Sequence, residues 1–279
     1  MKTAWDYTGL ASYYVKRPAY SDRAIDQLCS IAGLKKGLST ACDIGAGTGI
    51  LTKMLLERGY AVTAIEPNDA MRTIGKNLTG RLGPVFWQEG VAEETKMPDK
   101  VFDLVTFGSS FNTVRRQEAL QETYRILKDE GWFACLWNHR DLEDPVQRQV
   151  EECIKAHVPE YSYGSRREDQ SEVIRECGLF HAPLFIEEQH EVHIAKEDYL
   201  AAWRSHATLH RQAGVHFEKI IQAIEGLING TEVLRVPYKT RLWAARKLSI
   251  QAKEEAESRS LSPAREDASK PESGKNRNP

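Results

Sequence analysis

The sequence predicts an α/β fold: a doubly wound sheet of seven strands, mixed but mostly parallel, with a helical cap over a substrate site. Three observations carry this. Short, near-continuous apolar runs alternate with amphipathic segments from Thr40 to Trp137, and strands that are apolar on both faces belong to parallel sheets covered by helices. The stretch 41-ACDIGAGTGILTKMLLERG-59 joins one apolar run to a helix through a glycine-rich turn, an arrangement that offers backbone N–H groups to a ligand at a helix N-terminus. With 279 residues, 41% of them hydrophobic, the chain can bury one sizeable core and carry a cap or small lobe besides.

The elements follow in order. Thr40 to Ile44 is a first buried strand; Ile50, Leu51, Met54 and Leu55 then form one face of a helix that Gly59 ends as a C-cap glycine. A second strand, 60-YAVTAIE-66, precedes a helix from about Asp69. Val85-Phe86-Trp87 is a third strand and 102-FDLVTF-107 a fourth; Leu120, Tyr124 and Leu127 share one side of the next helix, and Gly131 leads into a fifth strand, 132-WFACLW-137. Asp144-Pro145 is an N-cap and N1 pair opening a helix with Val146, Val150 and Ile154. A short helix runs up to Gly178, a strand follows at 184–194, residues 197 to about 229 are helical, and 231–247 hold a last strand. The expected organisation is one domain over 1–250, with an N-terminal cap element at about 1–35 and helical cap segments at about 145–180 and 197–229. From Gln251 the chain is charged and Ser/Pro-rich with few large apolar residues, so 251–279 is expected to be a disordered tail.

Charge and cysteine usage exclude several classes. A formal net charge of −2 argues against nucleic acid as a partner. The five cysteines are scattered without a C-x-x-C pair, so neither a disulfide framework nor a thiolate zinc site is expected. No run is apolar and long enough to span a membrane, and the N-terminus lacks a signal core, which points to a cytoplasmic protein.

The glycine turn has several possible ligands. A dinucleotide site uses G-x-G-x-x-G with the pyrophosphate on the helix terminus. Here Gly45, Gly47 and Gly49 are spaced G-x-G-x-G and Asp43 stands just before them. An anion there repels a pyrophosphate and suits a ligand carrying ammonium and sulfonium groups. Glu66, at the end of the second strand and 21 positions after Gly45, can accept from both hydroxyls of a ribose. That supports either NAD or S-adenosylmethionine; Asp43 discriminates between them.

At this point the residues resemble the Rossmann-like class I S-adenosylmethionine-dependent methyltransferases. CDIGAGTG is similar to that family's first motif, IEPNDAM to its second, and 90-GVAEETKMPDKVFDLVTF-107 to its third motif and fourth strand. The resemblance runs from about Tyr13 to Lys247, and 13-YYVKRPAY-20 with 136-LWNHRD-141 resembles the small-molecule branch that includes trans-aconitate methyltransferase-like enzymes. It implies S-adenosylmethionine as cofactor, with Asp43, Gly45, Ala46 and Gly47 at its methionine end and Glu66 on the ribose. Met71 would lie near the adenosine, Ala92 and Glu93 beside the adenine, Ser109 at the end of the fourth strand, and Tyr14 and Arg17 over the cofactor's carboxylate. Two departures stand out: Val91 replaces the acid that many relatives carry before the Ala, and Asn112-Thr113 replaces a common His-Trp pair.

Methyl transfer is an in-line displacement on an activated carbon, so alignment supplies much of the catalysis and a base is optional. His139, after the fifth strand, is the best-placed base in the sequence; a surface histidine beside a packing Trp is the plain alternative. Tyr199, Trp203, His206 and His210 recur at helical spacing on one face, which could roof the substrate pocket, and Tyr199 and His206 join His139 as catalytic candidates. His206 and His210 have the spacing of a metal pair but no third ligand, and His190 and His193 point to opposite faces of a strand, so no metal site is expected. Arginines gather in the variable segments (Arg115, Arg116, Arg140, Arg166, Arg167, Arg204, Arg211); two or more lining the pocket would imply an anionic acceptor. The expected function is methyl transfer from S-adenosylmethionine to a small molecule, at oxygen by preference, with carbon or nitrogen open. Protein methylation, an NAD-dependent oxidoreductase and a catalytically silent cofactor-binding protein are the alternatives.

Overall fold

The computed structural model describes residues 7–249 and 251. Strands β1 (Thr40–Ile44), β2 (Ala61–Ile65), β3 (Val85–Gln88), β4 (Phe102–Gly108), β5 (Leu127–Arg140), β6 (Leu184–Ala195) and β7 (Val233–Arg246) form one seven-stranded sheet in the order β3-β2-β1-β4-β5-β7-β6. The pairs from β3 to β5 are parallel, and β7 runs antiparallel to both β5 and β6. The strand order reverses at β1, which lies between β2 and β4, so the crevice beyond the carboxyl ends of β1 and β4 is where such a sheet takes its ligand.

The period-2 alternation of the strands sends successive residues to opposite faces. Cys42, Val105, Phe107, Phe133, Cys135 and Trp137 build one core, with Ala119 and Leu120 of α5 (Arg116–Ile126) and Ile174 of α7 (Ser171–Glu176). Ala41, Leu104, Ala134 and Leu136 build the other, with α2 (Asp22–Ile31) and α3 (Ile50–Glu57) against them through Ile25, Leu28, Leu51 and Leu55. Each such Leu or Ile contributes about 1.5–3 kcal/mol by leaving water. Helix α4 (Asp69–Thr79) packs beside β3 through Trp87, whose indole N–H donates to Thr79 Oγ1 at 3.0 Å.

A third cluster joins the later helices to β7. Val150 and Ile154 of α6 (Pro145–His157), Tyr199 and Trp203 of α8 (Lys196–Arg204), Leu209 of α9 (Ala207–Ala213) and Ile220, Ile221 and Ile224 of α10 (Phe217–Leu227) close on Leu234, Val236 and Tyr238 of β7. A 3₁₀ turn (Thr8–Leu10) and the one-turn α1 (Ala11–Tyr14) precede α2, which packs on the sheet.

Two local expectations change. The fifth strand starts at Leu127, five residues early, because the chain leaves α5 directly into pairing with Phe102; the register with β4 then shifts around Glu130, whose φ is 72°. The helical run from 197 is not one helix. It breaks at Ser205–His206, so Tyr199, Trp203, His206 and His210 do not share a single helical face. The compact unit ends at Leu248, and the tail expected beyond Gln251 lies outside the described residues.

Asp144 caps α6 as its sequence position demands, accepting the Val146 and Gln147 N–H groups at 3.1 Å each. Asp144→Ala is expected to cost about 1 kcal/mol, lowering the thermal midpoint by about 2–4 °C for a chain of this size, while Asp144→Asn stays near wild type; thermal melts of the three proteins check this.

Candidate functional site

The turn after β1 is built from glycines because its backbone requires it. Gly45, Gly47 and Gly49 all have positive φ (67°, 58° and 86°). At Gly45 space is the second constraint: a Cβ would meet Ser110 Cβ at 2.5 Å, across the gap between the ends of β1 and β4. Ser110 itself is tied to β1, its hydroxyl donating to the Ile44 carbonyl at 2.6 Å.

Two carboxylates fix this turn. Glu66 accepts the Gly47 N–H and the Asn68 N–H, each at 2.8 Å, and so ties the glycine turn to the turn between β2 and α4. Burial pushes its pKa up, and these two N–H bonds work against that. Asp43 is 1% exposed and accepts hydroxyl bonds from Thr52 at 2.7 Å and Thr106 at 3.2 Å. Burial pushes its pKa up to about 6, with the two hydroxyls opposing. Among the described residues neither carboxylate has an ammonium or guanidinium ion partner. Each oxygen accepts one bond and a carboxylate has about four acceptor positions in all, so both retain capacity for a ligand.

Two adjoining cavities open here. One, of about 570 Å³ including space open to solvent, is lined by Gly45, Gly47, Glu66 and Met71 with Tyr7, Tyr14, Ser109 and Ser110. The other, of about 1180 Å³ on the same basis, shares Tyr7, Tyr14, Gly45 and Ser109 and extends past Asp43 and Ala46 to His139, Arg140, Arg166, Arg167 and His206. Ser109 sits at the junction with φ 58°, held by its N–H to the Leu136 carbonyl at 2.8 Å and by its hydroxyl against Tyr20 at 2.9 Å. Tyr7 and Tyr14 meet edge to face at 5.9 Å above the turn. Ala92 and Glu93 line neither cavity; Ala92 is in the core and Glu93 accepts the Arg115 N–H at 2.7 Å.

The larger cavity is rich in guanidinium groups. Arg17 lies 4.2 Å over the Tyr14 ring, and its Nε and one terminal nitrogen donate to Ser205 Oγ and O at 2.8 and 2.9 Å. That anchors the N-terminal element to the end of α8, a use not anticipated for this residue. Arg140 lies 3.9 Å over Trp203 and Arg167 3.6 Å over Tyr163. Among the described residues Arg17, Arg140, Arg166 and Arg167 have no carboxylate partner, and Nε of Arg140 and of Arg167 is buried without a hydrogen bond.

His139 is buried beside them with Nε2 unpartnered. Desolvation first, then Arg167, Arg166 and Arg241, pushes its pKa down to about 3, so the ring is neutral at pH 7. Trp137 donates its indole N–H to Asn112 at 2.9 Å, giving Asn112 a structural partner in place of the missing His-Trp pair. His206 lines the cavity, but His210 turns away and packs at 4.7 Å from Phe217. Tyr199 corrects the expectation set by its spacing: it is fully buried, lines neither cavity, and spends its hydroxyl on Gln147 at 2.9 Å. Its ring meets that of Trp203 edge to face at 6.5 Å. Tyr7 and Tyr163 reach the cavity without any signal in the sequence, and Tyr20 reaches it from the end of the quoted 13-YYVKRPAY-20 stretch. Among the described residues no group of three or more His, Cys, Asp or Glu could hold a metal ion, and no helix is long and apolar enough to cross a membrane.

Residues 42–135 match the family model of a methyltransferase domain. Among relatives, an uncharacterized methyltransferase of Mycobacterium tuberculosis is 33% identical over 147 residues, covering 53% of this chain and 57% of its own length. One from Schizosaccharomyces pombe is 31% identical over 147 residues, covering 52% and 56%. The chain thus spans little more than half the length of these relatives. The YcgJ protein of Bacillus subtilis has a similar fold, with a TM-score of 0.50 and 16% identity over 82% of this chain and 100% of its own.

Asp43 gives the stability of the folded protein a pH signature. Its folded pKa of about 6 exceeds the ordinary value of about 3.9, so between those values the folded state holds more protons than the unfolded one. Its contribution to stability therefore falls as pH rises from about 4 to about 6 and stays reduced above. Denaturation midpoints of wild type and Asp43→Asn should diverge over that window, the variant gaining relative stability at higher pH; parallel curves contradict the assignment.

Proposed function

We propose that the chain transfers a methyl group from S-adenosylmethionine to a small anionic acceptor, at oxygen by preference. The observation that carries this is the set of buried charges without ion-pair partners: Asp43 and Glu66 at the glycine turn, and four guanidinium groups further along the larger cavity, which Asp43 also lines. Unpaired buried charge costs several kcal/mol per ion, so each group favours a ligand of opposite sign.

The donor residues fit the cofactor. Asp43 would face its cationic methionine end, Glu66 with its spare acceptor positions the ribose hydroxyls, and Met71 the adenosine; Gly45, Ala46, Gly47 and Ser109 would form the floor and Tyr14 the cover. When bound, the cofactor supplies a methyl group already activated on sulfonium. The chain's own part is to orient the acceptor through Arg140, Arg166 and Arg167 and to exclude water beneath the tyrosines. A carboxylate oxygen as acceptor atom has no proton to lose, so it needs no base. Carbon methylation, the reaction named for the ubiquinone/menaquinone biosynthesis C-methyltransferase of Methylobacterium nodulans (36% identical over 107 residues, 36% of this chain), requires proton removal. His139 with a pKa of about 3 is a weak base for that unless a bound anion neutralises the arginines around it.

Calorimetric titration should show S-adenosylhomocysteine binding and no NAD binding; NAD affinity without S-adenosylhomocysteine affinity overturns the reading. Glu66→Ala should weaken S-adenosylhomocysteine by about tenfold or more, with the far-UV spectrum unchanged. In a turnover screen with S-adenosylmethionine, methylated products are expected from carboxylic acids and not from their amides, and methylation confined to neutral acceptors refutes the anionic assignment.

A further inference from the structure

His206 joins the cap to the arginine-lined cavity. Its Nδ1 accepts the Leu209 N–H at 3.2 Å and so caps α9. Its Nε2 lies 2.8 Å from a terminal nitrogen of Arg166. Trp203 and Tyr163 flank the ring at 5.4 and 6.4 Å, and it is 6% exposed. A backbone amide and a guanidinium both offer only N–H donors, whereas a neutral imidazole has one bare nitrogen and one N–H. The ring can accept from Leu209 or from Arg166, not from both. Protonation would set both nitrogens against donors, and burial with the nearby Arg166, Arg17 and Arg140 already holds the pKa far below the usual range for histidine. One acceptor is missing, and the place for it is beside Nε2 and Arg166, both of which face the cavity.

We propose that His206 is a substrate-binding residue: with an acceptor bound, Nδ1 caps α9 while Nε2–H and Arg166 together donate to a carboxylate of the acceptor. This rests on the reading of the cavity as an anionic acceptor site. One carboxylate supplies the missing acceptor to both donors and leaves the helix cap intact. It also removes His206 as a base, because the nitrogen facing the acceptor already carries its proton. Acceptor recognition and the start of α9 then depend on the same ring.

The test uses the full chain with ¹⁵N-labelled histidine, with malonate as the carboxylate probe, in the presence and absence of S-adenosylhomocysteine. In the malonate-saturated protein His206 is expected as the neutral Nε2–H tautomer by ¹⁵N NMR. His206→Asn keeps a good N-cap but ends short of Nε2, so malonate affinity should fall about tenfold or more while the melting temperature holds. His206→Gln carries an amide nitrogen towards the Nε2 position and should bind malonate within a few-fold of wild type, with a lower melting temperature. An Nδ1–H or doubly protonated ring in the malonate-saturated protein, wild-type malonate affinity in His206→Asn, or no malonate binding by the wild type overturns the proposal. Failure to bind S-adenosylhomocysteine strikes instead at the cofactor reading, since the tautomer is read with malonate alone as well.

Discussion

The Glu66 carboxylate is the contact on which the site depends. It holds the N–H of Gly47 in the turn after β1 and that of Asn68 before α4, so one side chain sets the spacing of two strand ends. Arg72 reinforces the same corner by donating to the Glu66 carbonyl at 2.8 Å. With those ends fixed, Gly45 can lie against Ser110, and the crevice between β1 and β4 acquires a defined floor. A turn free to move would not hold two adjoining cavities in register, and transfer between two bound molecules demands that register.

Charge is distributed across that crevice in opposite senses. Asp43 and Glu66 are carboxylates pushed toward protonation by burial. In the cavity that Asp43 also lines, His139 is pushed the other way, by burial and by three arginines. These perturbations share a first cause, burial. Such a site is costly to the free protein and selective for its ligands, because a wrongly charged molecule adds to the cost and a correctly charged one relieves it.

Much of this was legible in the sequence wherever the determinant is local. The limits of β1, the start of α4 at Asp69 and the Asp144 cap follow from apolar runs and capping residues that act within a few positions of themselves. The same local reasoning failed at Ser205–His206. The spacing of Tyr199, Trp203, His206 and His210 fits one helix, but His206 turns its side chain back to cap a new one, and Arg17, 188 positions away, binds Ser205 at the break. The burial of Tyr199 against Gln147 and the convergence of Arg140 with Arg166 and Arg167 depend likewise on long-range packing. Residue type marked these arginines as candidates for an anion; only the fold brings them to one cavity.

On the proposed reading, the Glu66 cavity and the Asp43 corner beside it receive a cationic adenosyl cofactor, and the arginine-lined end of the larger cavity receives the acceptor. A crystal structure of the full chain with S-adenosylhomocysteine tests it most directly. The ribose hydroxyls are expected on Glu66, the amino group on the Asp43 side, and the sulfur directed into the cavity of His139, Arg140 and Arg166. A ligand whose sulfur points away from those residues, or whose ribose lies out of reach of Glu66, would contradict it.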